Sequence, residues 1–396
     1  MLYADENQLL INPEHLGPDE EKVVLNADKT EVTIMANVTM VEVKKRQLKD
    51  EFTILSNVII DSVTYGGTVN TGCHGVGRGC PALPDLVVKL EVVNDKGDLV
   101  TYSRADDGEE FMNAVTTNLG LFGFVYKMTL AVKQNKITVE THNEYHSVKD
   151  TLTNSSKLKH LAESNWSTEI FWFPYNSILH NIKELLKIKK EDFLKLPTPN
   201  LDKWDPLQDD CWLRLTNDKS GGKTEKCLFH FRHKFNDALG ELGLKAITPL
   251  LDAAPNLNPY FCCLNSHVVK LQPSKICVQL PDAIHFRKFV HWAPVHDMEF
   301  AFVVDHDYSN IVEACKVVID EIERRARQGN FPMNVCMEMR FMGESKSLLC
   351  PAVVGQHSPN KEVKTAYIEV LSLVRRQSRL ARLHSSNCHW MEQDWR

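Results

Sequence analysis

Glu338 and Arg340 stand two residues apart in the segment FPMNVCMEMRFMG, Phe331 to Gly343. Period-two alternation places both on one face of a strand, with Cα atoms roughly 7 Å apart. A carboxylate beside a guanidinium stays ionised and oriented, and it can accept a proton or hold a substrate hydroxyl. Alternatively the two form a solvent-facing ion pair on an ordinary sheet, worth little. Asn334 and Cys336 share their face, while Val335, Met337, Met339 and Phe341 point to the other side and read as buried.

A second chemistry-bearing segment is TYGGTVNTGCHGVGRG, Thr64 to Gly79, which holds six of the chain's 18 glycines and sets His74 among them. Such a cluster marks backbone that turns sharply or lies close to something else. Held open, it offers N–H groups to a phosphate, a pyrophosphate or a polarised ring; otherwise it is a bulged sheet corner with no ligand. Pro81 and Pro84 follow, then the apolar run Leu86 to Leu90, so a loop passing into a strand is expected rather than a phosphate-binding helix N-terminus. No Gly-Lys-Ser/Thr follows, which removes a P-loop. Near the end, CHWMEQDW, Cys388 to Trp395, gathers a histidine and two tryptophans. It reads as an end that docks into a site or as a terminal strand closing the core.

The elements that must carry these segments divide near residues 133–147, where the sequence turns polar. Before that point sheet dominates. Val23 to Leu25 with Val32 to Ala36, and Leu86 to Val93 with Leu99 to Tyr102, read as two hairpins. Asp106 or Asp107 would cap a helix over Glu109 to Asn118, ended by Gly120. Leu121 to Val125, running into Lys127 to Val132, reads as a buried strand. Beyond the divide, strands are expected over Trp166 to Trp172, Met298 to Asp305 and Phe331 to Met342, with an apolar element at Ala366 to Val374. Helices are expected over Ile178 to Lys189 and Ser309 to Arg327, and a loop over Glu191 to Asp210.

With 396 residues there is room for two domains or one large one. A net charge of -6 argues against a general nucleic-acid binder, and the short basic runs Lys187 to Lys190 and Arg375-Arg376 read as solvated helix faces. Eleven cysteines, an odd number with no C-x-x-C, fit buried thiols in a reducing compartment. The sixteen histidines form no metal-binding pattern; His230 and His233 could share a helix face, but no metal site is expected. No apolar run is long enough to span a bilayer and the N-terminus lacks the pattern of a signal peptide, so a soluble chain is expected, attached to membrane peripherally if at all.

Taken together these segments resemble the FAD-dependent sugar-lactone oxidases, the L-gulonolactone oxidase and D-arabinono-1,4-lactone oxidase group. Gly66, Gly67, Thr71, Gly72, Cys73, His74, Gly75 and Gly77 follow the family's GG-x-x-x-TGTHG-x-G flavin loop, with Cys73 in place of a threonine. Asn118 to Val125 is similar to the later FAD-contacting segment, which implies cofactor contact at Gly123, Phe124 and Val125. Met337 to Met342 resembles the family's EMRF strand, where the glutamate and arginine face substrate. Asp282 to Arg287 and Asp297 to Phe302 are similar to the lactone-oxidase C-terminal domain, and His389-Trp390 resembles its terminal HW.

The resemblance implies an α+β chain: the C-terminal part of a PCMH-type FAD-binding domain over residues 1–133, then a substrate domain over residues 134–396. Glu338, Arg340 and His389 would be catalytic, FAD the cofactor, a sugar lactone the substrate, and oxygen the electron acceptor. An intracellular site, with attachment to an internal membrane, is also implied. The family's first βαβ portion, with its main pyrophosphate loop and the histidine that in many members binds FAD covalently, precedes the region matched here. Met391 and Glu392 stand where the family has a small residue and lysine. A different outcome for such a chain is a non-catalytic binding or scaffold module.

Overall fold

The computed structural model describes residues 16–178, 204–219, 255–285 and 295–373, together with residues 13 and 201. The first region holds β1 Val23–Leu25, β2 Glu31–Met35, β3 Phe52–Thr53, β4 Val87–Val93, β5 Leu99–Ser103, β6 Phe124–Ala131 and β7 Lys133–Gln134. Strands β1, β2, β6, β4 and β5 pair in that order as one antiparallel sheet, and β3 pairs with β7. Both expected hairpins form. Each turns on an asparagine whose side chain accepts from the backbone: Asn26 from Thr30 and Glu31, Asn94 from Lys96 and Asp98. This is the local mimicry that makes Asn a turn residue. Helices α1 Met40–Asp50, α2 Tyr65–Asn70 and α3 Glu109–Val115 accompany the sheet.

Three expectations are corrected here. The first half of the glycine stretch is not loop but α2, started by Thr64, whose hydroxyl accepts from Gly67 N. The cap of α3 is Gly108 rather than Asp106 or Asp107, because both carboxylates turn back to bind Ser103. The apolar run before β6 is not a buried strand: Leu119 and Leu121 are 60% and 80% exposed, and pairing begins only at Phe124.

The second region holds β8 Thr138–Ser147, β9 Ser167–Trp172, β10 Asp210–Asp218, β11 Lys275–Gln279, β12 Val295–Val303, β13 Cys336–Met342 and β14 Thr365–Leu373. They form one antiparallel sheet in the order β11-β8-β10-β9-β13-β14-β12. Helices α4 Val148–Thr151, α5 Ser155–Ser164, α6 Asn258–Val269, α7 Leu280–Ile284 and α8 Ser309–Arg327 belong to this region. The spacing of Ile311, Cys315, Val318, Ile319 and Ile322 builds the buried stripe of α8. That stripe joins Met337, Met339, Phe341, Ile368 and Leu213 in a core on one face of the sheet. The expected helix Ile178 to Lys189, most of the loop Glu191 to Asp210, the pair His230/His233, both basic runs and the C-terminal segment lie outside the described residues.

Asp209, fully buried beside the start of β10, organises the turn after β9. Its two oxygens accept five hydrogen bonds, from Trp172 Nε1, Tyr175 N, Ser177 N, Ser177 Oγ and Trp204 Nε1. Burial nevertheless pushes its carboxyl up to about 6. In Asp209→Asn one oxygen becomes an NH2 group, so at least two of those donors face a donor. We expect a loss of roughly 3 kcal/mol, read as a lower chemical-denaturation midpoint; a loss under about 0.5 kcal/mol would refute this role for Asp209.

Candidate functional site

The glycine stretch is sewn to the end of β13 by main-chain bonds. Gly77 N donates to Phe341 O at 3.2 Å, Gly343 N donates to Cys80 O at 3.0 Å, and Gly77 bridges Met342. The close approach that the glycines announce is thus largely to this chain itself. A Cβ on Gly75 would stand 2.6 Å from Asn57 O. One on Gly77, whose φ of +129° disfavours side chains, would stand 2.8 Å from Cys80 Sγ. Gly66, Gly72 and Gly123 likewise abut Ala36, Cys350 and Val93. Gly67 and Thr71 remain exposed, Cys73 half-buried, and Val125 points into the first core.

Behind this seam lies the polar face of the large sheet. Register sets two rows across its strands. Arg214, Glu169, Arg340 and Tyr367 form one; Trp212, Phe171, Glu338, Glu369 and Glu299 form the next. Contrary to the solvent-facing alternative, Glu338 and Arg340 are only 5% and 8% exposed, so β13 is buried on both faces. Arg340 Nη2 lies 2.6 Å from Glu299 Oε1 and 3.0 Å from Glu369 Oε2, and Arg340 Nε lies 3.5 Å from Glu338 Oε1. Glu169 is taken by Arg214.

His74 joins the two halves. Its Nε2 is 2.9 Å from Glu299 Oε2, its Nδ1 is 3.0 Å from Gly75 O, and its ring stacks on Tyr367 at 3.5 Å. Both ring nitrogens thus face oxygens, one of a carboxylate and one of the main chain. Burial alone would raise the Glu299 carboxyl, but Arg340 and His74 outweigh it and hold the group at about 2. Burial likewise works against the Arg340 charge and is outweighed by Glu299, Glu338, Glu369 and Glu169, so the guanidinium stays ionised. Burial raises the Cys73 thiol, which keeps it protonated at neutral pH.

Among the described residues, three buried polar atoms close to this seam have no hydrogen-bond partner: Ser56 Oγ, Asn70 Oδ1 and Tyr367 Oη. Exposed leucines flank the same edge. Leu119 N binds Asn70 O at 3.2 Å, and Leu349 precedes Cys350, whose Sγ lies 3.3 Å from Gly72 O. Buried polar atoms without partners are rare, so these mark the seam as a place where a ligand can supply hydrogen bonds. Of the residues expected from sequence, the structure brings together Gly72, Cys73, His74, Gly75, Gly77, Glu338 and Arg340. Gly123 and Phe124 sit further off, against the end of β4, and His389 lies outside the described residues. Sequence reasoning did not single out Glu299, Glu369 or Tyr367. The alternation Asp297-Met298-Glu299-Phe300 was the available signal for a second acidic face.

His74→Ala removes one of the two charges that depress Glu299. A depressed carboxyl contributes stability above its unfolded value, near 4.5, and loses it as pH falls toward 2. We therefore expect His74→Ala to move acid unfolding to higher pH and to cost roughly 1–2 kcal/mol at pH 7. An unchanged acid-unfolding profile would exclude the His74–Glu299 ion pair.

No family model matches the chain. A D-arabinono-1,4-lactone oxidase of Debaryomyces hansenii is 25% identical over 178 residues, covering 43% of this chain and 30% of that protein. The L-gulonolactone oxidase of Bos taurus is 27% identical over 164 residues, covering 41% of this chain and 36% of that protein. The chain therefore spans about a third of the length of these curated relatives. A solved structure of a solvent-stable cholesterol oxidase superposes with a TM-score of 0.66 at 15% identity, over 94% of this chain and 70% of that one. The chain is thus similar in sequence to sugar-lactone oxidases over part of its length, on an α+β fold like that of cholesterol oxidase.

Proposed function

We propose that the protein is an FAD-dependent oxidoreductase that oxidises an aldonolactone or related sugar alcohol. The observation that carries this is the Glu338–Arg340 pair, buried against a glycine stretch whose edge offers unsatisfied polar atoms. The residues fit the cofactor: Gly67, Thr71 and Cys73 would hold its exposed edge, and Ser56, Asn70 and Tyr367 would meet its polar atoms. When bound, the flavin supplies the hydride acceptor. Glu338 takes the hydroxyl proton of the substrate, and Arg340 holds the substrate oxygen on which negative charge grows. Glu299 and His74 fix the guanidinium, and the closed face of the sheet excludes water from the pair.

Oxygen, giving hydrogen peroxide, is the acceptor we assign to the oxidase reading. No helix among the described residues is long and apolar enough to cross a membrane. We place the protein inside the cell, held to an internal membrane peripherally at most, with no nucleic-acid partner. A second reading is a binding or scaffold module without turnover, in which Ile59, packed against the cluster that holds Phe171 and Trp212, covers that end of the Glu338 row.

Purified protein incubated with FAD should become yellow and bleach when an aldonolactone is added without oxygen. Glu338→Gln should keep the bound flavin while slowing bleaching on the order of 10²–10⁴-fold. Protein that cannot retain FAD would sink the oxidase reading. Lactone binding by calorimetry without turnover would establish the binding module instead.

A further inference from the structure

Glu369 stands at the centre of three glutamates. On β14 it lies directly opposite Glu338 of β13 and directly opposite Glu299 of β12. Neighbouring Cβ atoms in such a row are about 5 Å apart, and like charges so placed repel. Asp297, two residues before Glu299 on the exposed edge strand, pairs with Leu371 and so lies diagonally across from Glu369. Two carboxyl groups so placed share a hydrogen bond only when one carries a proton. Among the described residues, the cations facing this group are Arg340 from β13 and His74 from the glycine stretch, and His74 is engaged by Glu299. Glu169 of β9 faces Arg340 but belongs to Arg214, and Cys73 at the seam is neutral. Four carboxylates thus share at most two cations.

We propose that Glu369 is a positioning residue that rests as a neutral carboxylic acid, its O–H donating to Asp297 and its carbonyl oxygen accepting from Arg340. The choice between the two carboxyls follows from burial. Burial raises both carboxyls, but Glu369 is 9% exposed while Asp297 lies exposed on the edge strand, so the proton stays on Glu369 and the charge on Asp297. Burial, reinforced by Glu338, Asp297 and Glu299, raises the Glu369 carboxyl well above the usual range despite Arg340. The catalytic consequence rests on the proposed function: a neutral Glu369 does not compete for Arg340, so the charge of the guanidinium serves Glu299 and Glu338, and Glu338 remains the ion that takes the hydroxyl proton.

The test uses flavin-free full-length protein with carbon-13 at the glutamate carboxyl carbons, so it stands whether or not FAD binds. At pH 7 one glutamate signal should have the shift of a neutral carboxyl and should vanish in Glu369→Gln. A carboxyl raised on folding gives stability below its unfolded value that is lost as pH rises through its folded value. The thermal midpoint of Glu369→Gln should therefore equal or exceed that of the natural protein at pH 7 and above. If Glu369→Gln does not fold, Asp297→Asn removes the neighbouring charge and should make the neutral signal titrate at lower pH. All glutamates ionised at pH 7, a neutral signal that persists in Glu369→Gln, or a titration unmoved by Asp297→Asn would each overturn the proposal.

Discussion

A guanidinium buried inside a protein dictates the arrangement around it. Removing the Arg340 charge from water costs several kcal/mol, and only close anions with well-placed hydrogen bonds offset that cost. The structure supplies them from different parts of the chain, Glu338 from the same strand and Glu299 from β12, while Glu369 of β14 adds an oxygen that accepts from the guanidinium. The strand order β13-β14-β12 is therefore as much an electrostatic solution as a packing one. A different neighbour for β13 on this side would leave the charge uncompensated. His74 extends the same logic across the seam, because Glu299 brings with it a charge that Arg340 alone does not fully satisfy.

The two sheets meet through main-chain hydrogen bonds as well as side chains such as His74, which stacks on Tyr367 and pairs with Glu299. Hydrogen bonds from Gly77 to Phe341 and from Gly343 to Cys80 fix the glycine stretch against the end of the very strand that carries Glu338 and Arg340. Lys44 of α1, paired with Asp282 of α7 at 2.9 Å, adds a second tie away from the seam. Small residues at the seam are required for contact between two parts of one chain, even before any ligand is considered.

Much of the fold was legible because local chemistry and tertiary structure agree. The Asn-centred turns announce both hairpins, and the apolar spacing of Ile311 to Ile322 announces α8. Disagreement arose where tertiary contacts override local preference. Glycine is a poor helix former, yet Thr64 caps α2 and Tyr65, Thr68 and Val69 bury one side of it. Alternation along Phe331 to Gly343 showed which residues share a face, but could not show that the second face is also covered. The partners of Arg340 were hidden for a deeper reason. Glu299 and Glu369 reach it only through cross-strand register, which pairs segments far apart in sequence and leaves no local periodic trace.

The His74–Glu299 contact joins residues 225 positions apart, and the Gly77–Met342 bridge spans a similar reach. Contacts between such distant segments carry a large loop-closure entropy and slow the folding of topologies that depend on them. The first sheet closes through nearer pairings, whereas the long contacts need strands of the large sheet, β12 for Glu299 and β13 for Met342. The charge cluster is therefore complete only when strands of the large sheet and the glycine stretch are both in place. A chain that stalls before that stage leaves Arg340 and its carboxylates hydrated and apart, so ordering of the His74 ring is a marker that folding has run to completion.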